Sequence, residues 1–178
     1  MEELRKTFEA LGFINVKSYI NSGNLAFDIK LQKPARSKGE IDSTSHERKE
    51  SSQSLESKLI SQIESAIAKD FDKQIPVMVR EQADIARIVT SNPFEGQYAS
   101  HKEMHVLFLR DEMPKQKRDQ LLEAAPDGER FGVIGREICC HLPMGVADSL
   151  LGKSFIEKKL KLAVTGRNWR TVEKLAAL

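Results

Sequence analysis

The order of strand and helix patterns in the second half of the chain constrains the fold more than any other feature of the sequence. A short apolar run predicts a strand over Met104–Leu109, and Pro114 then introduces a helix that runs through Leu121 and Leu122. The stretch Phe131–Leu142 is typical of a hairpin, because Gly135 stands at the first central position of a type II′ turn. The remaining predicted elements are a helix capped by Asp148 and Ser149 that runs to about Leu160, a short strand Leu162-Ala163-Val164, and a terminal helix beginning near Asn168.

The first half of the chain repeats the same order without an opening strand. A helix with Leu4, Phe8 and Leu11 on one face comes first, and a bent strand or hairpin over Val16–Phe27 follows it. We then expect a helix over residues 54–69 with Ser54 as its cap, a strand over Ile75–Arg80, and a helix over Glu81–Val89. Both halves therefore fit the split βαββαβ unit. The predicted fold is α+β, with ferredoxin-like halves at 1–80 and 81–178, the second ending in a basic helix.

Residues 34–54 differ in composition from the rest of the first half. Only Ala35 and Ile41 are apolar among these residues, and serines are frequent. Such a segment cannot bury enough surface to offset the entropy of ordering it. We therefore predict a disordered insertion over residues 34–54.

Composition excludes several classes of protein. No apolar run reaches the roughly 18–20 residues that a membrane span needs. The opening Met1-Glu2-Glu3 is unlike a secretory signal. The two cysteines, Cys139 and Cys140, are adjacent, which excludes a disulfide framework and a CxxC motif. We expect a soluble cytoplasmic protein with no membrane partner, and the sequence leaves its oligomeric state open.

The strongest site prediction lies in the basic C-terminal segment. Residues 150–178 hold seven basic and two acidic side chains, a net charge of +5 within a chain of net charge +2. Within that segment Gly166–Thr171 falls at a predicted helix start, where free N–H groups and a partial positive charge favour anions. We predict that Arg167, Asn168, Trp169 and Arg170 bind a phosphate or carboxylate. The alternative is a capped helix with Trp169 as a packing anchor and two surface arginines.

A second group of donors lies in the segment Asn21-Ser22-Gly23-Asn24. Its Ser22, Gly23 and Asn24 could complete the same ligand site through side-chain and backbone donors. Asparagine and glycine are also ordinary turn residues, so the same pattern is explained by a turn alone.

Familiar catalytic and metal-binding patterns are absent from the sequence. His101 and His105 are four residues apart, and the predicted strand Met104–Leu109 includes His105. Four residues along a strand span about 13 Å, which is too far for one metal ion. Cys140 and His141 are neighbours on a strand and face opposite ways, so they do not form a nucleophilic pair. Phosphate-binding glycine loops are also missing. We therefore predict no metal and no cofactor, and whether the protein is an enzyme stays open.

Six phrases follow one another along the chain, namely SYINSGNLAF from Ser18, VMVR from Val77, SNPF from Ser91, HVLFL from His105, LPMG from Leu142 and RNWRTVEKL from Arg167. In this order they resemble the family of unknown function numbered 1697. The likeness covers nearly the whole chain apart from residues 30–54, and the last phrase is the most specific. Three departures from the family pattern are the missing opening strand, a single Thr165 before Gly166 where two threonines are usual, and Leu150 after Ser149 where lysine is usual. The resemblance implies a compact α+β domain with ferredoxin-like halves and assigns no activity.

The leading hypothesis is therefore a binding domain for an anionic small molecule that carries phosphate or carboxylate. One alternative is an enzyme that acts on a small phosphorylated or carboxylated substrate, with the same segment as its clamp. The other is nucleic-acid binding through the basic C-terminal segment, which predicts affinity that falls steeply with salt.

Overall fold

The computed structural model describes residues 1–20, 22–30 and 45–178 of the chain. It divides into two compact units, Met1–Val79 and Arg80–Leu178. Helices and antiparallel strands are mixed in both units, so the predicted α+β class is confirmed. None of the helices in the described ranges is long and apolar enough to cross a bilayer.

The first unit packs two helices on one hairpin. The aromatic rings of Phe8, Phe13 and Phe27 contact one another, and Phe13 and Phe27 stack with their centroids 4.4 Å apart. These rings and the buried side chains of Val16, Ile63 and Ile67 form the core of the unit. The predicted first helix and hairpin are confirmed. The elements are α1 (Glu2–Ala10), β1 (Ile14–Tyr19), β2 (Asn24–Asp28) and α2 (Ser45–Phe71).

Three predictions for residues 1–80 are wrong. Helix α2 begins at Ser45, so Ser54 lies inside the helix and does not cap it, and residues 45–54 of the predicted insertion are helical. Residues 34–44 of that insertion lie outside the described part of the chain. The segment 75–80 joins no ladder of the described strands. Its Val77 N–H instead donates to a side-chain oxygen of Glu64 on α2, at 2.9 Å.

The second unit is built around a four-stranded antiparallel sheet with the strand order β4-β5-β3-β6. Its strands and helices follow the predicted sequence of strand, helix, hairpin, helix, strand and helix. Gly135 between β4 and β5 has the positive φ of +58° that a II′ turn requires. The elements are α3 (Gln82–Thr90), β3 (Met104–Leu109), α4 (Lys115–Glu123), β4 (Arg130–Ile134), β5 (Glu137–His141), α5 (Phe155–Lys158), β6 (Val164–Asn168) and α6 (Trp169–Ala176).

The register of the central strand β3 separates the two faces of the sheet. Leu107 and Leu109 belong to a buried core with Leu121 of α4 and Ile156 of α5. Because side chains alternate along a strand, His105 lies on that same face. Met104, Val106 and Phe108 face the other way, and α6 contacts β3. One face of the sheet thus carries the core together with a single half-buried histidine.

The predicted helix from Ser149 to Leu160 is wrong, because most of that segment is a series of turns. The Ser149 hydroxyl donates to the carbonyl of Val146 at 2.7 Å and accepts the Leu151 N–H at 3.1 Å. A β-carbon at Gly152 would overlap the carbonyl oxygens of Val146 and Ala147. The Ser149 hydroxyl therefore stabilises a tight turn, which only a residue without a β-carbon at position 152 can form. Helix α5 forms only over Phe155–Lys158.

Candidate functional site

A cavity of about 390 Å³ lies on the core-facing side of β3 and β6 in the second unit. Strands β3 and β6 form its floor, and the turns after β5 together with α5 form its opposite wall. Polar side chains from three elements line it beside aliphatic ones. The lining residues are His105, Leu107, Val146, Leu151, Ile156, Glu157, Gly166 and Asn168.

His105 and Asn168 are direct partners across the β3–β6 ladder. Such a pair has its β-carbons about 4.5–5.5 Å apart, so both side chains can reach one small group. Both line the cavity. The antiparallel register thus brings together two residues that are far apart in the sequence.

His105 carries a buried nitrogen that its protein surroundings do not satisfy. Its Nδ1 is inaccessible to solvent and has no hydrogen-bond partner among the described residues. Burial lowers the pKa of His105, which favours the neutral imidazole. A neutral imidazole can donate or accept at Nδ1 according to its tautomer. An unsatisfied buried polar atom in a residue that lines a cavity calls for an explanation, such as a functional role of that residue.

Asn168 caps helix α6, as its sequence position predicted. Its Oδ1 accepts the backbone N–H of Thr171 at 2.9 Å. The cap uses only the oxygen end of the amide, so Nδ2 is the donor that Asn168 can offer to the cavity. This one side chain therefore joins the helix start to the cavity.

Arg167 lies near the end of strand β6, directly before Asn168, the cap residue of helix α6. It is paired with Val106 across the ladder, so its side chain is on the face of the sheet opposite Asn168. Its guanidinium donates to the Thr165 hydroxyl and to the Gly166 carbonyl, both at 2.7 Å. Burial lowers the pKa of Arg167. Strand alternation therefore separates the predicted clamp residue from the cavity.

The structure buries Trp169 and exposes Arg170. The Trp169 indole is 1% exposed, which agrees with a packing anchor and leaves no open face for stacking on a ligand. Arg170, in the first turn of α6, is exposed to solvent. Of the four predicted residues in this segment, Asn168 alone lines the cavity.

The turn residues Ser22, Gly23 and Asn24 belong to the first unit, whereas the cavity belongs to the second. The buried Asn24 side chain donates to the Tyr19 carbonyl at 3.3 Å and to the Ser22 hydroxyl at 2.8 Å. Gly23 has a φ of +75°, which glycine adopts without strain. These are the contacts of a hairpin turn, and the ligand role of this segment stays a prediction. Asn21 lies outside the described residues.

Other reactive groups of the second unit are buried in structural roles. Burial raises the pKa of the Cys139 thiol to about 11 and that of Cys140 well above its ordinary value. The buried His141 accepts a hydrogen bond at Nδ1 from Arg130, 3.0 Å away, and its Nε2 is 3.5 Å from Glu103. Within the described residues, no group of three or more His, Cys, Asp or Glu side chains is placed to hold a metal ion.

Sequence reasoning missed His105 and Glu157 as site residues. It considered His105 only as a metal ligand with His101, because the cross-strand pairing with Asn168 is invisible in the sequence. A signal was present nonetheless, since His105 is a polar residue on the face of β3 that otherwise carries leucines. Glu157 gave no signal, because it was placed on a longer helix that does not form.

A second depression of about 450 Å³ lies against α4 and α5, away from the predicted residues. Its polar lining includes Glu123 and Lys159, and none of its lining residues is a buried histidine or asparagine. The cavity at His105 is therefore the better candidate for a ligand site.

Comparison with known proteins identifies a family and a similar fold, and it assigns no activity. A family model described as a protein of unknown function, DUF1697, matches residues 1–55 and 48–138. The structure resembles that of the conserved bacterial protein SP0830 from Streptococcus pneumoniae, with a TM-score of 0.66 and 18% identity over 99% of this chain and 87% of that one. At this identity the likeness shows the fold alone. No protein with a curated description matches the sequence.

Proposed function

The chain belongs to DUF1697, a family of proteins of unknown function, and from the geometry of its second unit we propose that it is a binding domain for a small anionic ligand. The ligand carries a carboxylate or a phosphate. It sits in the cavity between β3, β6 and the wall formed by residues 146–157.

The observation that supports this proposal is that His105 and Asn168, partners across the β3–β6 ladder, line one cavity, and that Nδ1 of His105 has no hydrogen-bond partner among the described residues. A ligand oxygen between these two side chains can receive two hydrogen bonds, one from the imidazole ring of His105 and one from Nδ2–H of Asn168. The net charge of +5 on residues 150–178 favours the approach of an anion. Arg170 contributes to that field from the exposed first turn of α6.

A thermal-shift titration with carboxylates and phosphates tests the proposal. A ligand at about 100 times its Kd adds about 2.7 kcal/mol, which raises Tm by roughly 5–11 °C in a chain of this size. We expect His105→Leu to abolish the shift and Arg170→Ala to reduce it. Arg118→Ala on α4, another exposed arginine, is the matched control and should keep the full shift. The proposal fails if no anion stabilises the wild type, or if His105→Leu responds as the wild type does.

An enzyme is the second candidate, and one observation favours it. The neutral imidazole of His105 and the carboxylate of Glu157 line the same cavity. A neutral histidine within reach of a bound substrate can act as a general base. If the protein is an enzyme, NMR should show slow conversion of a bound anion. His105→Gln should stop this conversion, and Arg118→Ala should not. Ligands that bind and stay unchanged would reject catalysis and leave the binding proposal intact.

A further inference from the structure

We infer that the anion is an aliphatic monocarboxylate, whose carboxylate lies between His105 and Asn168 and whose hydrocarbon chain lies along the opposite end of the cavity. This inference rests on the proposed function and narrows its ligand class. Three features of the cavity carry it, namely its aliphatic wall, the spacing of its two donors, and the sign of the charge at its edge.

The aliphatic wall is the first of these features. Leu107 and Ile156 are buried and supply the floor and one side, while Val146 and Leu151 are half-buried. A cavity of about 390 Å³ is within the size range of sites for organic molecules and is larger than an inorganic anion needs. An ion alone would leave the exposed parts of Val146 and Leu151 in contact with water, whereas an alkyl chain covers them.

The second feature is the pair of donors. His105 and Asn168 face each other across neighbouring strands, and each can present one N–H to the cavity. The β-carbons of such a pair are about 5 Å apart, so the two side-chain N–H groups can each reach one oxygen of the same carboxylate. Asn168 is also held in place by its bond to Thr171, so its amide does not have to be ordered by the ligand.

The third feature is the charge distribution. Glu157 is an exposed carboxylate that lines the cavity, and it disfavours a ligand with a second negative charge. Phosphate is commonly recognised by the bidentate fork of an arginine, but Arg167 lies on the other face of the sheet. The polar groups within the cavity are therefore neutral donors and one acid, which match a singly charged head better than a phosphate dianion.

Binding of a homologous series to the full-length chain tests the inference. We would titrate acetate, butanoate, hexanoate, hexan-1-ol and inorganic phosphate and follow them by calorimetry. Each added methylene should tighten binding roughly fourfold until the aliphatic wall is covered. Hexanoate should bind far better than hexan-1-ol and better than phosphate.

Variants of the wall distinguish a specific cavity from general hydrophobic attraction. Val146→Ala should flatten the dependence of binding on chain length. Val133→Ala is the matched control, because Val133 packs against the same core without lining the cavity. Should Val146→Ala prove unstable, Leu151→Ala tests the same wall from the next turn.

Each outcome of the series decides the inference. A gain with chain length that Val146→Ala removes and Val133→Ala keeps supports it. Phosphate binding that exceeds hexanoate binding and is lost in His105→Leu overturns the inference but keeps the proposed anion site. If neither carboxylates nor phosphate bind, or if hexan-1-ol binds as tightly as hexanoate, the inference and the proposed function both fail.

Discussion

Asn168 joins two roles in one amide, and a pair of substitutions separates them. Its Oδ1 accepts from the Thr171 N–H at 2.9 Å and caps α6, while its Nδ2 is the donor that we assign to the ligand. Asn168→Ala removes both roles. Asn168→Asp keeps an oxygen for the cap, removes the donor, and adds a negative charge at the helix start.

Only Asn168→Ala should lower the stability of the chain, whereas both variants should weaken ligand binding. Loss of the cap in Asn168→Ala should cost about 1 kcal/mol, within a range of about 0.5–2 kcal/mol. That cost lowers Tm by roughly 2–4 °C in a chain of this size. Asn168→Asp should be as stable as the wild type or gain about 0.3–1 kcal/mol from the helix dipole. Loss of a hydrogen bond to a charged ligand costs about 1.5–3 kcal/mol, so both variants should bind roughly 10- to 100-fold more weakly.

Urea unfolding and calorimetric titration of the three proteins at one pH and one ionic strength measure these effects. The reasoning is refuted if Asn168→Asp binds carboxylates as tightly as the wild type does. It is also refuted if Asn168→Asp loses as much stability as Asn168→Ala, because the cap would then not depend on the oxygen.

Three further predictions concern the second unit, and each is checked by urea unfolding. Gly152→Ala should destabilise the chain by about 1–3 kcal/mol through the overlap of its β-carbon with backbone oxygens, and an unchanged midpoint would contradict the turn geometry. Arg80→Met should cost about 3–5 kcal/mol, because it leaves Glu137, now 2.6 Å from the Arg80 guanidinium, charged and only 14% exposed. The double variant Arg80→Met with Glu137→Leu should regain most of that stability. A double variant as unstable as Arg80→Met alone would contradict the role of the ion pair. Burial lowers the pKa of His105, so the unfolded state takes up a proton first on acidification and stability falls as pH drops below about 6.5. His105→Leu should lose less stability than the wild type between about pH 8 and about pH 5, and equal losses would show that His105 does not contribute.

Local signals predicted the elements whose formation depends on neighbouring residues. The strand Met104–Leu109 was predicted with the same bounds that the structure has, because its run of apolar residues is bounded by polar ones. Asn168 was predicted as a cap, because its position before an amphipathic pattern is itself the signal for a helix start. The turn at Gly135 followed from the need for a positive φ.

Elements that depend on distant or steric partners could not be predicted. Helix α2 extends to Ser45 although residues 45–54 contain no apolar residue, so the argument from apolar composition and ordering entropy failed there. The segment after Ser149 fails to continue as a helix because the Ser149 hydroxyl binds the Val146 carbonyl, a choice that no periodicity reveals. The site at His105 depends on a β3–β6 register between residues 63 positions apart, and only the assembled sheet displays it.

The proposed site has one wall on a central strand and the other on turns. Strand β3 is paired on both sides, by β5 and β6, so the backbone that carries His105 cannot shift without breaking two ladders. The opposite wall around Val146 and Leu151 is a chain of tight turns, which tolerate exchange of side chains more readily. Substitutions in these turns can change the space for the hydrocarbon chain of the ligand while the recognition of its carboxylate persists. One scaffold can therefore serve relatives that bind different ligands.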